Sequence, residues 1–420
     1  MHLSQEERGM LDGDQGPMVQ KSMALLVKVG EAYGAERMIP VSHVHLIAWE
    51  LSDTLFDLFA SMTKEAKVRV PTTVNPLLFN LERAKELGIP QAALPELRRI
   101  LSRLAQAHQN MGVIPTYTCH PHFMYELRLG EHIALTESNV VMFASAWYGA
   151  RSNIEGGTTA IASALTGRTP EYGLHITGNR YGEVLIDVAR NAEPEKFEYA
   201  DYSALAHWAG KVVVDRIPVY QGLSPKTTAS HAKYMCAPLI LESCVAMFHI
   251  AGVTPEAPTL EAAFGGARPK EKFAVGRKEM ASAFEELCSA KEQKVDLVCF
   301  GCPHCTLQEI ADIARLLEGK KVSANVRLWI GTNEPSATLA RRMGLVDIIE
   351  RAGGLVLTGM CAGSGPALRM GAALGIKTVA TTSATLAGIA PGRTRGALGA
   401  WFGRTSDCIA AAISGKWEGR

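Results

Sequence analysis

The sequence predicts an α/β protein of more than one domain, built from layers of largely parallel sheet with flanking helices. Helical and strand patterns alternate along the chain, and from residue 276 they do so as a βα series. Parallel strands need such crossovers, because each connection must carry the chain back to the starting edge. The length of 420 residues allows about three domains. The texture changes near residue 253, where GVTPEAPTLEAAFGGARPKEK is rich in Pro, Gly and Ala. These features divide the chain into an N-terminal α/β region over 1–252, a crossing segment over 253–275 and a C-terminal α/β region over 276–420. Neither an internal repeat nor a low-complexity tract is present.

Taken in order, Ser4 and Glu7 have the spacing of a capping box and predict a short first helix. DGDQG at 12–16 is a turn. Pro17 at a first helical position and Gly34 just past an end bracket a second helix. VRVPTTVNP, 68–76, reads as a strand entering a loop. A helix ends near Met111, and GVIPTYTCHPH, 112–122, reads as a strand followed by a Cys-bearing turn. NVVMFASAWYGA, 139–150, is apolar throughout, so its period does not separate helix from strand. Beyond the crossing, a helix over 276–290 precedes the strand VDLVCF at 295–300. A second capping box, Thr306 with Glu309, opens the next helix. VRLWIGT at 326–332 is a strand before a helix at 334–343, and GGLVLTGMC at 353–361 and IKTVATTS at 376–383 are two further strands.

Composition narrows the function. With 47% hydrophobic and 20% charged residues the chain reads as ordinary soluble globular protein. Its 43 basic and 42 acidic residues leave a formal charge of +1, which offers no attraction to nucleic acid or an anionic membrane. The polar start has no apolar core of a secretory signal, and no run of 18 apolar residues predicts a membrane span. Nine scattered cysteines do not form a secreted disulfide framework, so a reducing cytoplasm is expected.

CFGCPHCTLQE, 299–309, sets Cys299, Cys302 and Cys305 at two-residue gaps. Three cysteines share a context: Cys119 follows VIPTYT, Cys302 follows LVCFG and Cys361 follows LVLTGM, each just past a predicted strand. Ligands of open α/β sheets bind outside the carboxyl ends of strands. Three thiolates converging there would leave a metal centre one open position, and iron–sulfur clusters are built on thiolates. Other readings stay open. The ferredoxin-like run lacks its fourth Cys and following Pro; a zinc site would need a second ligand pair such as Cys119 with His120 and His122; a redox dithiol would need Cys299 outside the strand. Cys236, Cys244, Cys288 and Cys408 lie in apolar helical patterns and read as core, as does Cys299. Among the histidines, His43 and His45 alternate on a strand-like stretch, while His304 adjoins Cys302 and can donate to a substrate oxygen. Arg151 and Arg180 follow glycine-containing turns and could fork an anion. Ser364 and Ser383 could offer hydroxyls to one. Neither a GxSxG elbow, a P-loop nor a strand-GxGxxG-helix occurs, which argues against serine hydrolase, NTPase and nicotinamide chemistry.

Together these segments resemble the aconitase X family, distant relatives of aconitase, at the level of its catalytic large subunit. The resemblance rests on LSQEERGMLDGDQG, AERMIPVSHVH, VRVPTTVNP, PTYTC, GEHIALTESN, GARSN, ALTGRTPEYGLH, FHIAGVTPEAP, FGCPHCTLQE and the Cys361 turn, in that order. It implies an aconitase-like layered fold with a metal centre at strand C-terminal ends, held by Cys119, Cys302 and Cys361, as an iron–sulfur cluster or mononuclear iron. It implies a dehydratase: iron takes the hydroxyl of a small hydroxy acid while a base removes the adjacent proton, as in the dehydration of cis-3-hydroxy-L-proline or mevalonate 5-phosphate. His304, Glu137 and Ser383 are the catalytic residues expected. Arg151, Ser145, Ser138, Thr73, Asn75, His43 and Thr382 are expected to bind substrate. A small swivelling domain carrying a base serine completes the site in this family. The chain leaves no room for it after Arg420, so a separate small subunit is expected. Departures from the family pattern lie in FASAWYGAR and in TTSAT, where relatives carry Asn at Thr382 and Lys at Thr385. They imply the same reaction on a shifted substrate. An aconitase-type isomerase and a non-catalytic iron–sulfur sensor are the alternatives.

Overall fold

The computed structural model describes residues 1–47 and 67–419, and these gather into two units, neither of them continuous in the chain. The first draws on Met1–Pro76, Pro95–Glu183 and Ala246–Pro269, the second on Leu77–Leu94, Val184–Val245 and Lys270–Arg420. The chain crosses between them several times, the last time within the Pro-, Gly- and Ala-rich stretch. Among the described residues no helix is long and apolar enough to cross a membrane.

The first unit opens with α1 (Gln5–Asp12) behind its Ser4–Glu7 capping box and α2 (Pro17–Ala32) with Pro at its start. Their apolar faces meet in a cluster of Met10, Val19, Met23, Leu26 and Met38. Next come β1 (Met38–Pro40), β2 (Val44–Leu46), β3 (Thr72–Val74), α3 (Leu94–Met111), β4 (Ala134–Leu135), α4 (Ser138–Trp147), α5 (Gly157–Thr166) and β5 (Arg168–Pro170). β2 is central in a parallel sheet of order β3–β2–β4, and β1 pairs antiparallel with β5. The ambiguous apolar run is the helix α4, buried from Asn139 to Ala146.

GVIPTYTCHPH does not form the expected strand. It runs beside β3 with single bonds from Ile114 N to Thr72 O and from Thr118 N to Val74 O. Pro115 has no N–H to continue the ladder, and Tyr117 turns to a positive φ of 42°. The Thr116 hydroxyl fills the gap, donating to Val74 O and accepting from Val74 N.

The second unit contains β6 (Val184–Val188), α6 (Tyr199–Val213), β7 (Pro218–Gln221), α7 (Ala229–Glu242), β8 (Glu271–Val275) and α8 (Arg277–Glu286), with β6 parallel to both β7 and β8. Its βα series then runs through β9 (Leu297–Cys305), α9 (Leu307–Leu317), β10 (Arg327–Thr332), α10 (Glu334–Arg342), α11 (Leu345–Ala352), β11 (Gly354–Thr358), α12 (Gly365–Ala373), β12 (Thr378–Thr381), α13 (Ala384–Arg393), β13 (Gly399–Phe402) and α14 (Thr405–Ser414). The five strands of this series form one parallel sheet of order β11–β10–β9–β12–β13. The chain winds outward from β9 in one direction, then returns to its other side, so the topological switch falls between β9 and β12. Ile310, Ile313, Ala314 and Leu317 line one face of α9 at helical spacing and pack on Val298, Phe300, Leu328 and Ile330. Each of the Ile, Leu, Val and Phe side chains withdrawn from water contributes about 1.5–3 kcal/mol.

β9 is longer than the sequence suggests, because the Gly-Cys-Pro-His turn lies inside it as a wide bulge. Phe300 pairs with Ile330 and Cys305 with Thr332, so Gly301 to His304 oppose Gly331 alone. Gly301 makes this possible: its φ is +102° and an added Cβ would lie 2.3 Å from Gly331 O. Two cysteines read as core also differ: Cys236 and Cys408 are buried, but Cys288 is half-buried and Cys244 exposed, each lying past a helix end.

Replacing Gly301 with Ala combines a disfavoured φ with overlap against a neighbouring strand, a loss of about 2–5 kcal/mol. Urea unfolding checks this, and a loss below about 1 kcal/mol would contradict the account of the bulge.

Candidate active site

Cys302 stands in the β9 bulge, joined to Pro303 by a cis peptide bond. Cys361 opens the turn after β11. Both are half-buried. The turn lies directly against the Cys302 thiol, since a Cβ added to Gly363 would come 3.1 Å from Sγ. A third thiol, Cys299, is buried beneath them, and burial together with the neighbouring Cys302 and Cys361 pushes its pKa upward. The Cys361 turn is pinned by Leu77 O accepting from Cys361 N, by Ser364 capping α12 and by Arg393 Nη1 donating to Gly363 O at 2.7 Å.

His304 joins the two cysteine segments. Its Nε2 donates to Met360 O at 3.0 Å, and burial lowers its pKa to about 4, so it is neutral at pH 7. Its own carbonyl accepts from Lys233 Nζ at 2.7 Å. Lys233 and Glu309 form a salt bridge at 2.5 Å with both side chains almost wholly buried. Glu309 Oε2 also accepts from Thr306 N and Oγ1, and Oε1 accepts from Tyr234 O–H at 2.7 Å. Because the Tyr234 hydroxyl donates there, it accepts from the Thr382 hydroxyl at 3.4 Å. A polar network therefore spans the switch between β9 and the end of β12. Lys233 and Tyr234 gave no sequence signal beyond two polar residues in an apolar helix. Ser383 is the N-cap of α13, its Oγ accepting from Leu386 N.

In the first unit, several expected binding residues come together along β2 and β3, from His43 just before β2 to Asn75 just after β3. Thr73 Oγ1 lies 2.9 Å from His43 Nε2 and 2.8 Å from His45 Nδ1, and His45 Nε2 lies 3.4 Å from Asn75 Oδ1. Burial lowers His43 to about 2 and His45 to about 4, so both are neutral. The direction of the bonds follows: His45 Nε2–H donates to Asn75, its Nδ1 accepts from the Thr73 hydroxyl, and Thr73 accepts from His43 Nε2–H. The His43 ring stacks on Tyr125 at 3.6 Å, and His122, also lowered by burial to about 3, stacks on Phe143. Cys119 lies half-buried at the end of the extended segment, its carbonyl accepting from Asn139 Nδ2 at 3.4 Å, and the same amide contacts His120 Nε2 at 2.9 Å.

Glu137 follows β4 as the N-cap of α4 with a φ of 75°, an uncommon conformation for a side chain other than Gly. Burial raises its pKa. Ser138 Oγ donates to Glu137 Oε1 at 3.2 Å. Ser145 is fully buried in α4, and its hydroxyl has no partner. Arg151 donates from Nη1 to His175 O and from Nη2 to Thr177 Oγ1. Its Nε is buried without a partner, and no described carboxylate pairs with it. His175 Nδ1 meets His132 Nδ1 at 3.0 Å. Arg180 is not an anion-binding arginine. It is buried, forked by Glu256, and also donates to Leu174 O and Ser145 O, so its charge and donors are already matched. Among the described residues, no three His, Cys, Asp or Glu side chains are gathered closely enough to hold a metal ion.

Family models for the first, second and third domains of aconitase X match residues 1–178, 182–285 and 295–414. The phosphomevalonate dehydratase large subunit of Methanothermobacter thermautotrophicus is 34% identical over 93% of this chain and 94% of its own length. That of Methanocaldococcus jannaschii is 35% identical over 91% and 93%. The cis-3-hydroxy-L-proline dehydratase of Pseudomonas aeruginosa is 33% identical over 98% of this chain and 70% of its own length. Among solved structures, the holo-form of Thermococcus kodakaraensis aconitase X superposes with a TM-score of 0.85 at 28% identity, covering 98% of this chain and all of that one.

The buried neutral histidines make stability depend on pH in one direction. Their folded pKa values lie below the unfolded value of about 6.5, so their contribution is complete above that pH and is lost as pH falls towards 4. Each steepens the loss by about 1.4 kcal/mol per pH unit. Urea unfolding between pH 7 and 5 will show a shallower dependence in His45→Gln by about that amount. An unchanged slope would mean that His45 is not buried neutral.

Proposed function

The chain belongs to the aconitase X family, and on that premise we propose that it is the catalytic large subunit of a dehydratase acting on a small hydroxy acid with an anionic group. One observation carries the reading: the Cys302 thiol and the Cys361–Gly363 turn are packed together near the switch of a parallel sheet. Both thiols are half-buried, held by backbone turns and backed by a third sulfur, a soft donor set of the kind iron–sulfur clusters use. The residues present therefore fit such a group in kind. Cys302, Cys361 and Cys119 would hold it, and bound there it would supply a Lewis acid for a hydroxyl oxygen.

The chain's own residues supply the rest. Loss of water requires a proton to leave the carbon next to the hydroxyl-bearing one. Glu137, with its raised pKa and fixed N-cap position, is a carboxyl suited to holding that proton, with Ser138 donating to it. Arg151 has the chemistry of an anion clamp: its donors rest on neutral oxygens, and its charge is not met by a described carboxylate. His43, Thr73, His45 and Asn75 form one directed hydrogen-bond chain, which suits a substrate hydroxyl or carboxylate at a defined angle. Thr382, Ser383 and Ser145 complete the proposed set, and His304 orients the cysteine segments. A separate small subunit completes the site in this proposal, supported by the "large subunit" names of the archaeal relatives. Nine cysteines without a disulfide fit a cytoplasmic location.

The first test is iron and acid-labile sulfide on anaerobically purified protein. The expected outcome is iron with sulfide, lost in Cys302→Ser and in Cys361→Ser; zinc, or metal unaffected by either change, would remove the dehydratase mechanism. A substrate screen starting from cis-3-hydroxy-L-proline and phosphomevalonate then permits a second test. Arg151→Gln is expected to raise KM about 10- to 100-fold, the loss of a charge-assisted bond. Unchanged KM would place the anion elsewhere.

A further inference from the structure

We infer that Lys233 is a positioning residue that sets the placement of the Cys302 thiol by holding the β9 bulge from below. The inference deepens the proposed function and rests on its assignment of Cys302 and Cys361 as a ligating pair.

The bulge has lost its ladder. Four residues, Gly301 to His304, face one residue of β10, so their carbonyls cannot all find strand partners. One side chain meets a carbonyl inside the bulge, and two more brace it, one at the adjoining ladder residue Cys305 and one across to Met360. Lys233 Nζ donates to His304 O at 2.7 Å, Thr332 Oγ1 donates to Cys305 O at 2.6 Å, and His304 Nε2 donates to Met360 O at 3.0 Å. The last bond reaches the residue before Cys361. Lys233 thus fixes the carbonyl of the same residue whose imidazole ties Cys302's segment to Cys361's. A flexible, strongly hydrated ammonium is an unusual group to leave 1% exposed on an apolar helix. Glu309 neutralises it, and Thr306 and Tyr234 in turn saturate the carboxylate. The arrangement delivers a rigid donor to one backbone oxygen.

If the pair served only to stabilise the core, Lys233 and Glu309 would be equivalent. They are not equivalent here, because only Lys233 touches the bulge carbonyl. The test compares Lys233→Met with Glu309→Gln in the full chain. Glu309→Gln keeps an oxygen for Thr306 and leaves the ammonium on His304 O. Three readouts apply: iron and sulfide per chain after anaerobic reconstitution, the electron paramagnetic resonance line shape, and the alkylation rate of Cys302 by iodoacetamide in iron-free protein, with Tm recorded for each. The expected result is a lowered Tm in both, with iron retention about 10- to 100-fold weaker and an altered line shape in Lys233→Met alone. Cys302 of Lys233→Met is also expected to alkylate severalfold faster. Equal losses in the two variants, or a Lys233→Met protein with normal iron and normal alkylation, would overturn the inference. Should Lys233→Met fail to fold, Lys233→Arg replaces it. That change keeps a cation for Glu309 but displaces the donors, so a normal line shape and normal alkylation there would equally overturn the inference. A wild-type chain that takes up no iron would count against the proposed function, while the alkylation arm would still decide the role of Lys233.

Discussion

A parallel ladder that must accommodate four residues opposite one is the constraint on which the cysteine centre depends. Leaving a buried carbonyl unpaired costs about 1–3 kcal/mol, so a bulge of this size is stable only if every exposed polar group is met from elsewhere. Gly301 supplies the backbone angle, Lys233 meets His304 O inside the bulge, Thr332 meets the adjoining Cys305 O, and the His304 ring ties the bulge to Met360 O. Most of this support is buried, and it comes from α7, β10 and the bulge itself. The catalytic proposal therefore rests on secondary structure that holds its shape without the reacting groups, which is the usual condition for placing a ligand set accurately.

The first unit solves a related problem with imidazoles. Its histidines are packed against Tyr125 and Phe143 and kept neutral by burial. A neutral imidazole has one donor and one acceptor, so a chain of them has a direction. Asn75 sets that direction through its carbonyl oxygen, and Thr73 passes it from His45 to His43. Protonating His45 would reverse its bond with Thr73, and protonating either ring would bury a charge, so low pH is expected to act on this cluster as a structural stress.

Much of this was legible in the chain. The capping boxes at Ser4 and Thr306, the helix opened by Pro17 and the strands β10, β11 and β12 stand where local pattern puts them, whereas β9 runs past residue 300 and β13 has no counterpart in the sequence reading. Their signals are short-range, so the residues that make them also carry them in sequence. One failure is local: Pro115 and Tyr117 break, from inside it, a segment whose apolar pattern reads as strand. The others are long-range. Arg180 looked available because Glu256, its partner, is 76 residues away. Lys233 carries no local signal, because its meaning depends on Glu309 and on a strand carbonyl 71 residues further along. Cys302 and Cys361 shared a strand-end context, but Gly363, the residue that lets them pack, reads in sequence only as one more glycine in a turn.

The two units are interleaved in the chain: each takes three separate segments, and the second opens at Leu77 and draws on the chain beyond Lys270. Neither can be excised by a single cut, and the second cannot finish its core until the chain is nearly complete. β9, the centre of the large sheet, is synthesised before either β10 or β12, its neighbours on the two sides. Contacts that close such long loops are entropically expensive and slow to form. Until β10 and β12 emerge, β9 has no strand on either side, the state in which aggregation competes with folding. The order in which its strands emerge thus bears on how the chain folds, apart from anything its finished site does.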